Sequence, residues 1–230
     1  MPDTMTDLDR LLDAALLHVP FDGWSADTFA AATRDSGVDP TVARAICPRG
    51  AVDLAVAYHR RGDAAMTARL RDADLAAMRY SDRVAFAIRA RLEAASDKEA
   101  VRRGSTLFAL PQYAADGARL IWGTADAIWT ALGDTSTDIN WYTKRATLSA
   151  VYGACALYWL GDQSEGHQAT WDFIERRIAD VMQIEKVKGQ LRENKLFSAL
   201  MVGPNMILSK VRAPTPRPDM PGSYAPKADA

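Results

Sequence analysis

The sequence predicts an all-α protein, a bundle of amphipathic helices packed around a central apolar helix. Apolar residues recur at helical spacing along most of the 230 residues, and no segment alternates apolar and polar residues as a half-buried strand does. Fifteen consecutive uncharged residues, 146–160, mark the central helix. A hydrophobic content of 48% is sufficient for a substantial core.

Short helices are predicted within the first fifty residues, each with a capping residue at its start. Thr6, Ser25 and Asp39 precede three apolar-periodic segments. Gly37 lies in a tight turn between the second and third helices, and a long helix begins at about Ala51. A helix, a Gly-centred turn and a short helix, followed by a longer one, indicate a helix-turn-helix.

Residues 31–54, AATRDSGVDPTVARAICPRGAVDL, resemble the opening domain of TetR-type regulators. In that family the third helix enters the DNA groove. The charge here argues against such a use, because residues 1–50 carry four basic and eight acidic side chains while duplex binding depends on neutralising phosphates. The third helix offers only Arg44. We therefore expect residues 1–58 to be a degenerate helix-turn-helix region that does not bind DNA.

Helical spacing continues through residues 59–185, which we interpret as a helical domain resembling a ligand-binding domain. Ser81 and Ser96 are expected helix starts, and Asp116 opens another helix after the break at Pro111. The core stripe of the helix that follows the central one is expected to comprise Trp171, Ile174, Ile178, Val181 and Met182.

The central helix, residues 146–160, is expected to be buried on all sides because it is apolar on all sides. It is too short for the roughly 20 residues that a membrane span needs. Six small residues alternate with large ones along it. Such residues either leave room for a ligand beside the helix or allow neighbouring helices to approach closely. The small residues are Ala146, Ser149, Ala150, Gly153, Ala154 and Ala156.

Residues 186–212 change character, with six basic side chains and one acidic side chain around an uncharged run at 196–208. This pattern indicates an amphipathic segment at a membrane interface, although a last core helix with a solvated rim fits it as well. Gly203-Pro204 is expected to kink or break a helix there. Residues 213–230 contain five prolines and are expected to be disordered.

Known catalytic patterns are missing from the sequence. The three histidines have no metal-ligand spacing, and there is no phosphate-binding Gly loop or nucleophile elbow. Cys47 and Cys155 are too far apart in sequence to suggest a zinc site or a disulfide framework. We therefore expect no catalytic residue, metal or cofactor. The two isolated cysteines fit a reducing compartment, and the N-terminus shows no targeting segment, so we expect a cytoplasmic protein.

Residues 134–145, DTSTDINWYTKR, resemble the signature of the Coq-nine family, accessory lipid-binding proteins of ubiquinone biosynthesis. Shorter resemblances support this one and extend it over residues 27–182. They are PRGAVDL at 48–54, the Val-Tyr and Leu-Tyr pairs at 151–152 and 157–158, and TWDFIERR at 170–177.

The resemblance implies a TetR-like fold without DNA function, a pocket for an isoprenoid lipid or quinone, a homodimer, and a last helix that associates peripherally with membranes. It also implies a surface that docks the Coq-seven-type hydroxylase of the same pathway. A ligand-responsive TetR-type regulator remains the alternative function. The site residues expected on this basis form three groups. They are Leu148, Tyr152, Gly153 and Cys155 for lipid; Asp138, Trp141, Tyr142 and Arg145 for the hydroxylase; and Lys195, Leu196, Phe197, Leu200 and Met201 for the membrane.

Trp141 has two interpretations from the residues alone. A Trp between charged residues near a helix start either packs under a loop or stands out as an anchor for a partner, since Trp, Tyr and Arg dominate binding hot spots. We expect the second, with the ring exposed beside Tyr142 and Arg145.

Overall fold

The computed structural model describes residues 5–95, 97–193 and 211–214, and within them the chain is a bundle of ten α-helices without a strand. The helices are α1 (Asp7–Leu16), α2 (Val19–Asp22), α3 (Ala26–Ser36), α4 (Pro40–Ile46), α5 (Ala51–Asp72), α6 (Tyr80–Glu93), α7 (Lys98–Phe108), α8 (Ala114–Ala131), α9 (Ile139–Gly161) and α10 (Gln168–Glu193). The all-α fold class is confirmed.

The N-terminal helices begin where their capping residues predict. Thr6 and Asp9 form a reciprocal capping box at α1, Ser25 accepts from the backbone of Thr28 at α3, and Asp39 caps α4. Gly37 ends α3 with φ +68°, a left-handed conformation in which the lack of a Cβ avoids strain. These local signals suffice because each involves residues only two or three positions apart.

Two hydrophobic clusters form the core. The first joins α1, α3 and α4 to the start of α5 around Leu11, Leu12 and Leu54. The second joins the end of α5 to α6, α8, α9 and α10 around Ile88, Ile128 and Ile174. Helix α5 is continuous across the predicted domain boundary at residues 58 and 59, and it contributes side chains to both clusters.

Helix α9 differs from the prediction, because it is not buried on all sides. Its buried residues follow one stripe, Arg145, Leu148, Tyr152, Cys155 and Trp159. The opposite side is open, and Leu157 is 67% exposed. The helix packs against α8 and α10 and touches α6 and α7, and these neighbours cover only part of its circumference. Predicting burial from the absence of charge therefore overestimated how much of α9 is buried.

Three helix starts also differ from the prediction. Helix α8 begins at Ala114, so Asp116 is its third residue. Helix α6 begins at Tyr80, so Ser81 is its second residue and lies too late to be the cap. Helix α7 is capped by Asp97, whose carboxylate accepts from the backbone of Glu99 and Ala100. Trp171, Ile174 and Ile178 form the predicted core stripe of α10, but Met182 is 48% exposed. Helix α10 continues across the predicted boundary at residue 186.

Candidate functional site: an apolar cavity and an aromatic surface

A cavity of about 660 Å³ is lined by residues of both hydrophobic clusters. This volume falls in the range of small-molecule sites, roughly 300–1,000 Å³. Small residues create the space, because α5, α7, α8 and α9 turn glycine or alanine toward it. They include Ala55, Gly62 and Ala65 of α5, Gly104 of α7, Gly117 and Ala118 of α8, and Gly153 and Ala156 of α9.

The predicted lipid-contacting residues are divided between three environments. Tyr152 and Gly153 line the large cavity, and a Cβ added to Gly153 would meet nothing within 4 Å. Leu148 lines a second cavity of about 180 Å³ between α6, α8, α9 and α10. Cys155 is fully buried in the core and lines neither of these two cavities of the described residues.

The cavity has a buried end and an exposed rim. Gly62, Arg91 and Tyr152 are buried, whereas Ala109 and Leu157 lie exposed at its edge. The helical domain, residues 59–185, does not line this cavity alone. Asp13 and Leu16 of α1 and Trp24 also line it, so the N-terminal region provides part of its wall.

Polar residues that sequence reasoning did not assign to the site meet at the buried end. Arg91 donates from Nε to Asp63 Oδ1 at 2.6 Å and from an Nη to the His59 carbonyl at 3.0 Å. Thr124 donates its hydroxyl to the same Asp63 oxygen at 2.8 Å, and His59 Nε2 lies 2.8 Å from the Thr124 oxygen. His59 and Asp63 are four residues apart and so share one face of α5. This spacing is the feature from which the sequence could have identified the pair.

Burial controls the protonation of this cluster. Desolvation, reinforced by the nearby Arg91 charge and opposed by Asp63, lowers the pKa of His59 to about 4. Desolvation also raises the pKa of the Tyr152 phenol, so its hydroxyl keeps its proton. At neutral pH the cluster therefore presents a neutral imidazole and a protonated phenol beside the Arg91–Asp63 ion pair.

The second candidate site is a set of aromatic side chains at the start of α9, here called the aromatic surface: Trp122, Trp141 and Tyr142. The Trp141 ring lies edge-on to Tyr142 at 4.8 Å and 6.0 Å from Trp122 of α8. The Arg145 guanidinium lies 4.0 Å from the Trp141 ring centre. Trp141 is thus half-buried, not exposed as expected, because α8 and Arg145 cover part of its ring.

Arg145 is buried, although we expected it on the surface. It is 3% exposed and donates to Asp126 Oδ1 at 2.5 Å and to Asp134 Oδ2 at 3.0 Å. Lys144 donates to the other Asp134 oxygen at 2.7 Å. Burial raises the pKa of Asp134, but hydrogen bonds from Lys144, Ser136 and Arg145 together lower it to about 2. Asp138 caps α9 through Asn140. Part of the 134–145 motif therefore holds the preceding loop to the helix.

A short segment, residues 211–214, lies against the same helix start. Tyr142 donates its hydroxyl to the Arg212 carbonyl at 3.3 Å, and the Ala213 amide donates to the Thr137 carbonyl at 2.9 Å. The predicted membrane-binding residues, 195–201, and Gly203-Pro204 lie outside the described residues. Along the part that is described, no helix is both long and apolar enough to cross a bilayer.

Residues 114–185 match the family model COQ9, a segment that contains α8, α9 and all three residues of the aromatic surface. The chain is 31% identical over 186 residues to the ubiquinone biosynthesis protein COQ9, mitochondrial, of Drosophila melanogaster, covering 79% of this chain and 57% of that protein. It is 29% identical over 191 residues to the human protein of that name, covering 80% and 60%. The chain thus spans about 60% of the length of these curated relatives.

A solved structure, that of a TetR transcriptional regulator from Nitrosomonas europaea, matches with a TM-score of 0.62. The match covers 75% of this chain and 95% of the regulator at 18% identity, which shows a shared fold alone. The predicted TetR-like architecture is therefore confirmed. The chain is therefore similar to proteins named COQ9 over about 80% of its length, and residues 114–185 match their family model.

Proposed function

We propose that this protein is a non-enzymatic, lipid-binding accessory protein of ubiquinone biosynthesis. The observation that carries the proposal is the 660 Å³ cavity lined mainly by apolar and small residues, in a chain related to proteins named for that pathway. Burial of an isoprenoid chain in such a cavity is favourable by roughly 25 cal/mol per Å² of apolar surface removed from water. The ligand is a prenylated quinone precursor.

Filling the cavity tests lipid binding. Gly153→Phe places a ring where a Cβ meets nothing within 4 Å, so the fold is expected to persist while co-purified prenyl lipid, measured by mass spectrometry, decreases. Gly123→Phe is the matched control, because Gly123 also has open space around it but does not line the cavity. Equal lipid content in wild type and a folded Gly153→Phe protein would contradict the proposal.

The proposed partner is a Coq-seven-type hydroxylase, and the proposed docking site is the aromatic surface. Trp141 and Tyr142 are each half-buried, so both keep accessible ring area. Large aromatic side chains with restricted rotamers are frequent hot spots of association. Segment 211–214 bonds to Tyr142 and to the loop before α9, so a partner must dock beside it or displace it.

A peripheral contact with membrane and a homodimer complete the proposal. The sequence of residues 186–212 supports the first, because cations flank an uncharged run. Exposed apolar side chains on α10 support the second, with Met182 48% and Ile184 54% exposed. Covering these side chains with a second copy of the chain would remove their apolar surface from water, which favours association.

The alternative, a ligand-responsive transcriptional regulator, is supported by the fold and by the α3–α4 turn. Its DNA-reading helix would be α4, whose exposed residues include Val42, Arg44 and Ile46. One cation on this helix supplies little phosphate neutralisation. A gel shift with promoter DNA distinguishes the two functions, since a salt-sensitive complex would favour the regulator.

A further inference from the structure

Tyr152 presents to the cavity a hydroxyl that has no partner among the described residues. The residue is 5% exposed and lines the cavity, and its hydroxyl makes no hydrogen bond with any residue that the structure describes. This hydroxyl is not one of the fully buried unpartnered atoms of the described residues, so it is accessible from the cavity. Buried tyrosine hydroxyls usually have a partner. Tyr58, which lines the same cavity, follows that rule, because its hydroxyl bonds to both the carbonyl and the amide of Asp97. The Tyr152 hydroxyl is therefore open to a hydrogen-bonding group that the described residues do not provide.

Arg91 adds a second unused donor beside it. Its Cζ lies 5.9 Å from the centre of the Tyr152 ring. Nε and Nη2 donate to Asp63 and to the His59 carbonyl, while Nη1 has no acceptor among the described residues. Nη1 lies over Gly62, where an added Cβ would come within 2.6 Å of it. The missing side chain at Gly62 is what allows a guanidinium to lie in the cavity wall.

The charges at this end are already balanced. Arg91 is paired with Asp63, and the Thr124 hydroxyl donates to the same carboxylate. A ligand carboxylate or phosphate would bring an additional negative charge into a buried site, which is costly without a cation of its own. A neutral oxygen would accept hydrogen bonds from the Tyr152 hydroxyl and Arg91 Nη1 without bringing another charge into the buried site.

We propose that Tyr152 and Arg91 form a head-group site that selects neutral lipids bearing a hydrogen-bond-accepting oxygen, such as a ring ketone, over fatty-acid anions. The inference rests on the proposed lipid binding. It adds the chemistry of the lipid head group and the orientation of the lipid in the cavity. The head binds at the buried end near Gly62, and the apolar tail extends toward the rim at Leu157.

The test compares three probes with the same geranylgeranyl tail: the benzoquinone, the benzene lacking ring oxygens, and the carboxylic acid. Affinities of the full chain are measured at pH 7.5 by displacement of the neutral dye N-phenyl-1-naphthylamine. The quinone is expected to bind about tenfold more tightly than the benzene, as one or two buried hydrogen bonds allow. The acid is expected to bind no better than the benzene.

Tyr152→Phe removes only the unpartnered hydroxyl, so the fold and the affinity for the benzene probe are expected to remain unchanged while the quinone preference falls severalfold. Tyr158→Phe is the control, because Tyr158 stacks on Phe173 and does not line the cavity. Equal binding of quinone and benzene to wild type, tightest binding of the acid, or a quinone preference that survives Tyr152→Phe would each overturn the head-group site. Failure of all three probes to bind would overturn the lipid-binding proposal itself.

Discussion

His59 shows how one partly buried side chain links this protein's stability to pH. Its folded pKa of about 4 lies below the ordinary value of 6.5, so the fold favours the neutral ring. The resulting stability is present above pH 6.5 and is lost as the pH falls from 6.5 toward 4. Burial and Arg91 both oppose the imidazolium, whereas Asp63 favours it.

We expect the free energy of unfolding to fall by about 2 kcal/mol between pH 7.5 and pH 5 through His59 alone. His59→Gln keeps an N–H for Thr124 but does not titrate, so this part of the decrease should disappear in urea titrations at the two pH values. His18→Gln is the control, because His18 pairs with Asp35 near the surface and should leave the decrease intact. The same pH dependence in His59→Gln and wild type would show that another group is responsible.

Gly62 provides a second prediction at the residue scale. Replacing a helical glycine by alanine ordinarily stabilises by roughly 0.5–1 kcal/mol. Here the new Cβ would lie 2.6 Å from Arg91 Nη1 and 2.7 Å from its Cζ, and Arg91 is held by Asp63 and the His59 carbonyl. We therefore expect Gly62→Ala to destabilise by about 1–3 kcal/mol, the usual cost of overpacking.

The matched control for Gly62 is Gly123→Ala in α8, where a Cβ meets nothing within 4 Å. Thermal melts should show a small gain for Gly123→Ala and a loss for Gly62→Ala. A gain in both variants would mean that Arg91 moves freely and is not an anchored part of the cavity wall.

At the scale of elements, the loop before α9 is attached to the helix by a buried charge network. Asp134 accepts from Lys144 and Arg145, and Arg145 is 3% exposed. Removing one partner of a buried pair leaves the other charge uncompensated, which costs about 3–5 kcal/mol. Asp126 remains for Arg145, so Asp134→Ala should cost about 3 kcal/mol, measured by urea unfolding.

Asp138→Ala is the comparison for that variant, because Asp138 caps the same helix without joining the buried network. Loss of an N-cap typically costs about 1 kcal/mol. Similar costs for the two variants would mean that the network contributes no more than a cap.

Trp141 connects α9 with α8 and with the proposed partner. The ring packs on Arg145 and near Trp122, so Trp141→Ala should destabilise the isolated protein by about 2 kcal/mol, more than an exposed ring would. It should also weaken association with the hydroxylase by at least about 2 kcal/mol, the hot-spot threshold. Melts of the variant alone and titrations with the hydroxylase measure the two effects. Normal affinity together with a lowered melting temperature would identify Trp141 as a structural residue only.

At the scale of the whole molecule, the charge pattern after residue 186 predicts membrane association. Each cation near an anionic surface contributes about 1 kcal/mol. A chain ending at Glu185, which removes all six cations of residues 186–212 and the uncharged run, should remain soluble but lose co-sedimentation with vesicles containing phosphatidylglycerol. Vesicles of phosphatidylcholine alone are the control for charge. Undiminished sedimentation of the shortened chain would place the membrane contact elsewhere.

Local chemistry determined much of this protein from sequence alone. Thr6, Ser25 and Asp39 cap the helices they were expected to cap, because a cap needs only neighbours two or three residues away. Helical spacing likewise predicted the all-α class, and the 134–145 motif pointed to the family that the comparisons then matched. Sequence placed Tyr152 and Gly153 on the helix that provides one wall of the cavity.

The tertiary structure decided the features that depend on contacts between distant segments. Arg145 and Trp141 were expected at the surface, but carboxylates at 126 and 134 and the ring of Trp122 lie against them. The cluster of His59, Asp63, Arg91 and Thr124 spans three helices, so no local spacing identifies it. The cavity arises because small residues from four helices converge. Two tyrosines line it, and the position of Asp97 beside Tyr58, not residue type, determines that Tyr58 is paired while Tyr152 has no partner among the described residues.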